Sequence, residues 1–458
     1  MRDFRLENAL FWPHMRNTSY EAFFEQMTEQ KLPTWSDVAM QAASMWLIER
    51  ETMTHPILDL ETSVARVLAE MEVTGVFVDN EILQKLEKEL TDTIRQIESN
   101  VAKITGETIV NLASPLQLQK LLFEVMKIKP IRKTKTGWSV DEETLMLLAE
   151  ENEICKEILT HRHASKLLGT YVKWLAKHID SETGRVHTTY DSLGASTGRM
   201  SSDSPNLQNI PAGDPWSDEI KSAFHPSDPD WSYVVADYSQ IEIRILACLS
   251  GDDVMLDVFR NNRDLHAETA RFILWKEDIT PAERKLAKTV NFGVMYGITP
   301  FGLSKMINKT PAECGEFINA FFTLYPRTRE YFDHIISETK RVGYAETFFG
   351  RRRAIKWLSD NNSMAREQAK REAMNMPIQW TCADIIKYAI VKISESFKEK
   401  KLEARLLMTV HDEIVVECPD TEIEIVEDTM KHIMENIVTW EIPMSVEIGS
   451  GKTWRSAK

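Results

Sequence analysis

Apolar residues recur at three- and four-residue steps over much of this chain. Ile82, Leu83, Leu86, Leu90, Ile94, Ile97, Val101 and Ile104 keep that rhythm after Asp79, and Gly106 ends it. They predict one long amphipathic helix with a single packing face. At "SPLQ" (114–117), Ser114 can cap, Pro115 suits a first turn and Gln117 stands third, which predicts a capping-box start. Residues 1–52 read as helical pieces with many aromatics, and residues 252–400 as a mostly helical block.

The rhythm changes in two places. Val234-Val235-Ala236 is a short apolar run that reads as a buried strand stopping at Asp237. In "RLLMTVHDEIVVE" (405–417), two β-rich runs flank His411-Asp412 and predict a hairpin with a tight turn, although Asn-Gly is commoner there. Two strand regions separated by a helical block predict one sheet with a large helical insertion. "QIEIRI" (240–245) is ambiguous. Its strict alternation reads as strand, while a Ser239–Glu242 capping box and the spacing of Ile241, Ile245 and Leu249 read as helix. "ASTGRMSSDSPNLQNIPAGDP" (195–215) is a long run of turn residues around Arg199, and loops of that length are functional or disordered.

At 458 residues, two to four domains or subdomains are expected. The N-terminus lacks the apolar core of a signal peptide, and no apolar run is long enough to cross a membrane. The five cysteines are scattered with no CxxC pair, which argues against zinc ribbons and a disulfide framework and fits a reducing cytosol. The net charge of −15 argues mildly against nucleic acid as a partner. The charge is uneven, however. "IRKTKTG" (131–137), "RKLAK" (284–288), "GRRRAIK" (350–356) and "REQAKRE" (366–372) are local basic clusters, each either a phosphate contact or an ordinary solvated face.

Three signals fail on their own terms. "GSGKT" (449–453) lacks the first glycine of a phosphate loop, since Val446 stands there. "DLET" (59–62) resembles the start of a proofreading exonuclease, but a helix pattern follows it. "HRH" (161–163) sends its two histidines to different sides of a helix.

Asp237 and Asp412 carry the candidate chemistry, with Glu413 beside the second. If their strands are neighbours, the carboxylates converge, and clustered carboxylates call for a hard cation such as Mg²⁺. Two such ions can drive an in-line phosphoryl displacement. The plain alternative is a capped strand end and a surface turn. In "RKLAKTVNFGVMYG" (284–297), Arg284, Lys288, Phe292 and Tyr296 lie four apart and so follow one helix face. Two cations and two aromatics suit the phosphates and base of a nucleoside triphosphate. A helix with surface cations and core aromatics is the bland reading. Arg371, Asn375 and Gln379 repeat the spacing with groups that contact phosphates and base edges.

Through these residues the chain resembles the polymerase portion of the DNA polymerase I family (family A). "DYSQIEIR", "RKLAKTVNFGVMYG" and "VHDE" are similar to family motifs in order and spacing, as are "TGRMSSDSPNLQNIP" and "REAMNMPIQWTCADIIK". The similarity runs from about residue 53 to the C-terminal "GKTWRSAK". The resemblance implies an α+β right-hand architecture with an antiparallel palm sheet (53–80, 180–250 and 376–458), a helical thumb (81–179) and helical fingers (251–375). It implies two Mg²⁺ ions, with Mn²⁺ as substitute, bound by Asp237, Asp412 and the Tyr238 carbonyl. Arg284 and Lys288 would hold the triphosphate, with Lys288 the acid for departing pyrophosphate. Phe292 and Tyr296 would stack on the nucleotide and His266 would touch its phosphates. Glu242 would begin a helix and block a 2′-hydroxyl. Lys166, Arg199, Asn206, Gln208, Arg371, Asn375, Gln379 and His411 would line the primer–template, with Glu413 near the primer end.

The implied enzyme is a DNA polymerase acting as a monomer on primer–template DNA and dNTPs, with a separate nuclease or processivity factor as a further partner. Its expected setting is cytoplasmic, in a bacterial cell or phage-infected host, with no membrane role. Residues 1–52 are too few for a complete proofreading domain, and no 5′-nuclease domain is present, so 3′→5′ removal is not expected. That segment is either the remnant of an exonuclease-like domain or part of a longer product. Trp380 stands where the family usually has a small residue, and Met200 replaces a usual leucine. Two other readings remain. A single-subunit RNA polymerase relative would share the chemistry, and Glu242 argues against it. A non-catalytic primer–template binding protein would not need both aspartates and the cationic–aromatic helix.

Overall fold

The computed structural model describes residues 56–106, 111–135 and 137–458. The expectations for residues 1–52 lie outside them. The elements that frame the site are, in chain order, α1 (Pro56–Thr74), α2 (Asn80–Thr105), α3 (Glu153–Lys166), β1 (Trp231–Tyr238), α4 (Ile241–Ser250), α5 (Leu265–Leu274), α6 (Pro281–Met295), β2 (Tyr344–Glu346), β3 (Arg352–Ala354), α7 (Ser363–Lys400), β4 (Arg405–Val410), β5 (Glu413–Pro419) and β6 (Val446–Gly451).

The long helix forms as its spacing predicts. Asp79 caps α2 by accepting from the Glu81 and Ile82 amides, and Gly106 closes it at φ +69°. Leu83, Leu86 and Leu90 enter one core, while Ile97 and Val101 enter a smaller, separate one with Leu122, Leu145 and Ile158. Ile104, at 57 % exposure, falls outside both, so the face ends one turn early. The start at Ser114 is only half a capping box. Ser114 Oγ accepts from the Gln117 amide, but Gln117 Oε1 accepts from Asn111 N at 2.7 Å instead of reaching back to Ser114. A complete box opens α6, where Thr280 and Glu283 cap each other around Pro281.

The sheet is antiparallel throughout, in the order β4-β5-β1-β6. Its central strand is buried on both faces. Val234, Ala236 and Tyr238 feed one core, and Tyr233 and Val235 the other. That explains the continuous apolar run, since no side of the strand meets solvent. β1 continues through Tyr238, one residue beyond the expected stop at Asp237. β4 and β5 form the predicted hairpin, with His411 and Asp412 at its tip and His411 at φ +57°. "GSGKT" is a strand end. A Cβ on Gly449 would lie 2.8 Å from the Ala457 carbonyl oxygen, so the glycine admits the returning chain.

"DLET" is likewise structural. Glu61 on α1 is fully buried and meets Arg351 Nη2 and Lys387 Nζ, each at 2.5 Å. Arg351 Nε donates to Asp384 Oδ1 at 2.8 Å, and Thr347 Oγ1 to Asp384 Oδ2 at 3.0 Å. Burial alone would raise the Glu61 carboxyl, but Lys387 and Arg351 hold it below its ordinary range. Two cations and two anions therefore bind α1, the β2–β3 hairpin and α7 together. "HRH" also resolves to packing, with His161 at Glu98 and His163 at Asp214.

Removing one member strands an opposite charge in the core. Lys387→Met should cost about 3–5 kcal/mol in urea unfolding. A loss near that of an exposed pair, under about 1 kcal/mol, would show that the quartet does not hold these elements.

Candidate active site

Register brings three carboxylates onto one sheet face. Asp237 on β1 lies opposite Glu413 on β5 and Glu447 on β6. Like charges opposite one another repel, and the structure answers the repulsion locally. Glu413, 3 % exposed, accepts from Trp454 Nε1 and pairs with the Lys458 ammonium. The same ammonium lies 3.8 Å from Asp237 Oδ2. Asp237 is nevertheless pushed up to about 6. Burial is the main cause, Glu413, Asp412 and Glu447 add to it, and Lys458 opposes it. Asp412 lies next to this face, because its carbonyl accepts from the Tyr238 amide at 3.3 Å.

Arg199 connects the aspartate to the helix that follows β1. Its Nη2 lies 3.0 Å from both Asp412 Oδ1 and Glu242 Oε1. Burial disfavours its charge, but Asp412 and Glu242 hold its pKa above the ordinary value. Glu242 lies in a helix, so the strand reading of "QIEIRI" fails. The capping-box reading fails as well. Gln240, at φ +55°, is the N-cap and makes no side-chain cap bond, and the buried Glu242 carboxylate accepts from the Tyr296 hydroxyl. Burial raises its pKa against the pull of Tyr296 and Arg199.

Tyr296 opens onto the larger cavity. About 900 Å³ is lined by Arg284, Lys288, Phe292, Tyr296 and Arg371, so the four-residue spacing on α6 does place its side chains on one wall. Arg284 pairs with Asp264 across that wall. His266 lies behind the cavity. It is 1 % exposed, accepts at Nδ1 from Asn291 Nδ2 at 2.9 Å, and rests near the Phe292 ring. Burial pushes it down to about 4, so it is neutral at pH 7. Its Nε2 is buried without a partner.

A second cavity of about 270 Å³ is lined by Arg199, Asn206, Gln208, Thr409 and His411. Gln208 Nε2 donates to the Thr409 carbonyl at 3.2 Å, tying the 195–215 segment to β4. Burial and Arg199 lower the pKa of His411. Gln379 on α7 lies beside the Tyr296 hydroxyl, while Asn375 Oδ1 is buried and unpaired. Lys166 stands exposed at the end of α3, apart from both cavities. Of the "GRRRAIK" cluster, Arg351 belongs to the buried quartet, Arg352 pairs with Glu346 and Arg353 Nη1 donates to the Ser196 carbonyl. The sequence reading missed Lys458, Trp454 and Asn291, none of which stands in a periodic pattern.

Asp237 and Asp412 offer hard oxygens, the donor type that divalent cations such as Mg²⁺ prefer. No third His, Cys, Asp or Glu side chain converges with them as a cage among the described residues. An ion bound there would keep open positions, as Mg²⁺ commonly does.

Comparisons with known proteins point one way. The profile of DNA polymerase family A matches residues 80–456. DNA polymerase I of Geobacillus stearothermophilus is 40 % identical over 437 residues, covering 93 % of this chain and 50 % of that protein. The thermostable DNA polymerase I of Thermus aquaticus is 39 % identical over 422 residues, covering 91 % and 50 %. The chain thus spans about half the length of the curated relatives it matches. The POL domain of Pol1 from M. smegmatis, solved in complex with DNA primer-template and dNTP, superposes with a TM-score of 0.89 at 32 % identity, covering 99 % of this chain and 82 % of that one.

The raised pKa of Asp237 sets a pH dependence. Below its ordinary value of 3.8, folded and unfolded chains both hold the proton. Between there and about 6 the folded chain keeps a proton that the unfolded chain releases, so stability falls as pH rises through that window. In EDTA, Asp237→Asn should therefore melt above the unaltered chain at pH 7.5, with the gap shrinking toward pH 4. A gap of constant size across the titration would sink this assignment.

Proposed function

The chain belongs to DNA polymerase family A, and from that premise we propose that it extends a DNA primer on a template by adding deoxynucleotides. What carries the reading is the continuity of the site. Tyr296 lines the cationic–aromatic cavity, its hydroxyl donates to Glu242, and Arg199 links Glu242 to Asp412. The nucleotide cavity and the carboxylates therefore form one site. Among the described residues we assign 56–80, 180–250 and 376–458 to the palm, 81–106, 111–135 and 137–179 to the thumb and 251–375 to the fingers; residues 53–55 of the expected palm lie outside them. α7 crosses the last border without a break.

Asp237, Asp412 and the Tyr238 carbonyl would hold two Mg²⁺ ions, which would activate the primer 3′ oxygen and stabilise the leaving oxygen in an in-line displacement. The chain's own groups do the rest. Arg284 and Lys288 hold the triphosphate, and Phe292 and Tyr296 take the base. The primer 3′ hydroxyl gives its proton to water, its oxygen bonds to the α-phosphorus, and the α–β bridge breaks. Lys288 gives a proton to the departing pyrophosphate. Arg199, Asn206, Gln208, Arg371, Asn375, Gln379 and His411 orient primer and template, with Lys166 contacting the duplex from the thumb. Glu413 acts from beneath, since it is buried under Trp454 and Lys458. His266 acts the same way, through Phe292.

Glu242 forms the wall against a 2′-hydroxyl, held on one side by Tyr296 and on the other by Arg199. The reading includes no 3′-end removal by the described residues, because Glu61 of "DLET" is locked in the buried quartet. The five free thiols fit a reducing, cytoplasmic setting, and a single chain supplies the whole proposed site.

Primer extension with dNTPs and Mg²⁺ tests the proposal directly. Asp237→Asn and Asp412→Asn should each lose nearly all extension while retaining duplex affinity, because the carboxylates act on charge that develops in the transition state. Near-normal extension by either variant would refute the assignment. The same reaction with a mismatched primer end and no dNTPs should leave the primer intact.

Sugar choice is a difference between two transition states. Glu242→Ala should raise kcat/KM for CTP relative to dCTP and slow normal synthesis, since Tyr296 and Arg199 both lose a partner. An unchanged ratio with only a lower melting temperature would leave Glu242 a packing residue.

A further inference from the structure

Trp380 stands on α7 immediately after Gln379, and it touches the 195–199 turn in two ways. Its Nε1 donates to the Ser196 carbonyl at 3.2 Å. Its ring lies against the backbone of Gly198, where a Cβ would come within 2.8 Å of indole Cγ and Cδ2. Gly198 has φ +78°, so the contact needs glycine on both conformational and steric grounds. Arg353 reinforces the hold. Its Nη1 donates to the same Ser196 carbonyl at 2.8 Å, and its guanidinium lies 5.6 Å from the indole centroid. The turn also closes on itself, with Ala195 N donating to Arg199 O and Gly198 N to Ala195 O.

The next side chain is Arg199, the bridge between Glu242 and Asp412. Its guanidinium meets those two carboxylates and the Cys382 thiol, while its Nε is buried without a partner. Its reach is therefore set by where the turn starts. α7 also places Gln379 at the Tyr296 hydroxyl and Cys382 Sγ 3.7 Å from Asp412 Oδ1. One stretch of helix thus approaches Asp412 directly, Glu242 through Tyr296, and the base from which the bridge extends.

We propose that Trp380 is a positioning residue which clamps the 195–199 turn, sets the reach of Arg199, and through it governs sugar selection by Glu242. The proposal rests on the polymerase reading above. Two simpler roles compete with it. The indole could fill space, or it could stack on a base of the primer–template. A filler affects stability alone, and a stacking platform affects duplex affinity. A clamp acts only through Arg199, so its effect disappears when Arg199 is already gone.

The experiment is a double-mutant cycle on the full chain. Trp380→Ala, Trp380→Phe and Gly198→Ala are made with Arg199 intact and in an Arg199→Ala background. The readouts are the kcat/KM ratio of dCTP to CTP, primer–template Kd and melting temperature. Trp380→Ala should lower the ratio about tenfold, less than the roughly hundredfold that a misplacement of about 1 Å can cost. Trp380→Phe keeps a ring against Gly198 and should recover most of the loss. Gly198→Ala, which pushes the turn off the indole, should reproduce it. In the Arg199→Ala background Trp380→Ala should change the ratio no further. An effect of equal size in both backgrounds, or one confined to melting temperature or to Kd, overturns the proposal. If Trp380→Ala does not fold, Trp380→Phe and Gly198→Ala decide it by the same comparison. Extension by the unaltered chain with an unchanged ratio in the variants overturns this proposal alone. Absence of extension by the unaltered chain overturns the polymerase reading, and this proposal with it.

Discussion

Four charges buried together fix the frame on which the site is built. Glu61, Arg351, Asp384 and Lys387 lie under the surface with almost no exposure, and each charge is answered. Desolvation makes such a group expensive when incomplete and tolerable when every member is present. The quartet pins α7 against α1 and the β2–β3 hairpin. α7 then carries Gln379, Trp380 and Cys382 to the edge of the site. The position of Arg199 is thus linked to a charge balance formed well away from it in sequence. The hairpin contributes twice, through Arg351 in the quartet and Arg353 on Trp380.

The sheet imposes a different constraint. A strand buried on both faces cannot slide without exposing apolar side chains to the wrong core. β1 is such a strand, so Asp237 has one possible opposite neighbour on each side. That rigidity keeps Asp237 buried and opposite other carboxylates, and burial first, then those neighbours, raise its pKa. Indole, ammonium and guanidinium groups then relieve the crowding from outside the sheet.

Much of this was legible in the chain because periodicity encodes faces. The spacing of Leu83, Leu86 and Leu90 gave α2, and four-residue steps put Arg284, Lys288, Phe292 and Tyr296 on one cavity wall. Two β-rich runs around His411-Asp412 gave the hairpin, and the helical insertion between strands gave their adjacency. Contacts made once leave no such pattern. Glu61 meets Arg351 across 290 residues and Lys387 across 326. Local propensity also misled where tertiary partners took over. Glu242 looked like part of a cap because its long-range partners, Tyr296 and Arg199, are invisible at short range. Gln117 turned to Asn111 in the same way.

The ammonium of Lys458 and the guanidinium of Arg199 have a thermodynamic consequence. Asp237 and Asp412 each already face a cation of the chain itself. Any divalent ion reaching them performs an exchange, displacing or loosening a tethered cation as it enters. Its apparent affinity is then a ratio of two associations, and the tethered partner acts as a competitor whose local concentration never dilutes. A metal site at these carboxylates would therefore discriminate by charge density as well as by fit. A monovalent ion of the same size would gain little over the cation it must displace, whereas a doubly charged ion would gain more at each carboxylate.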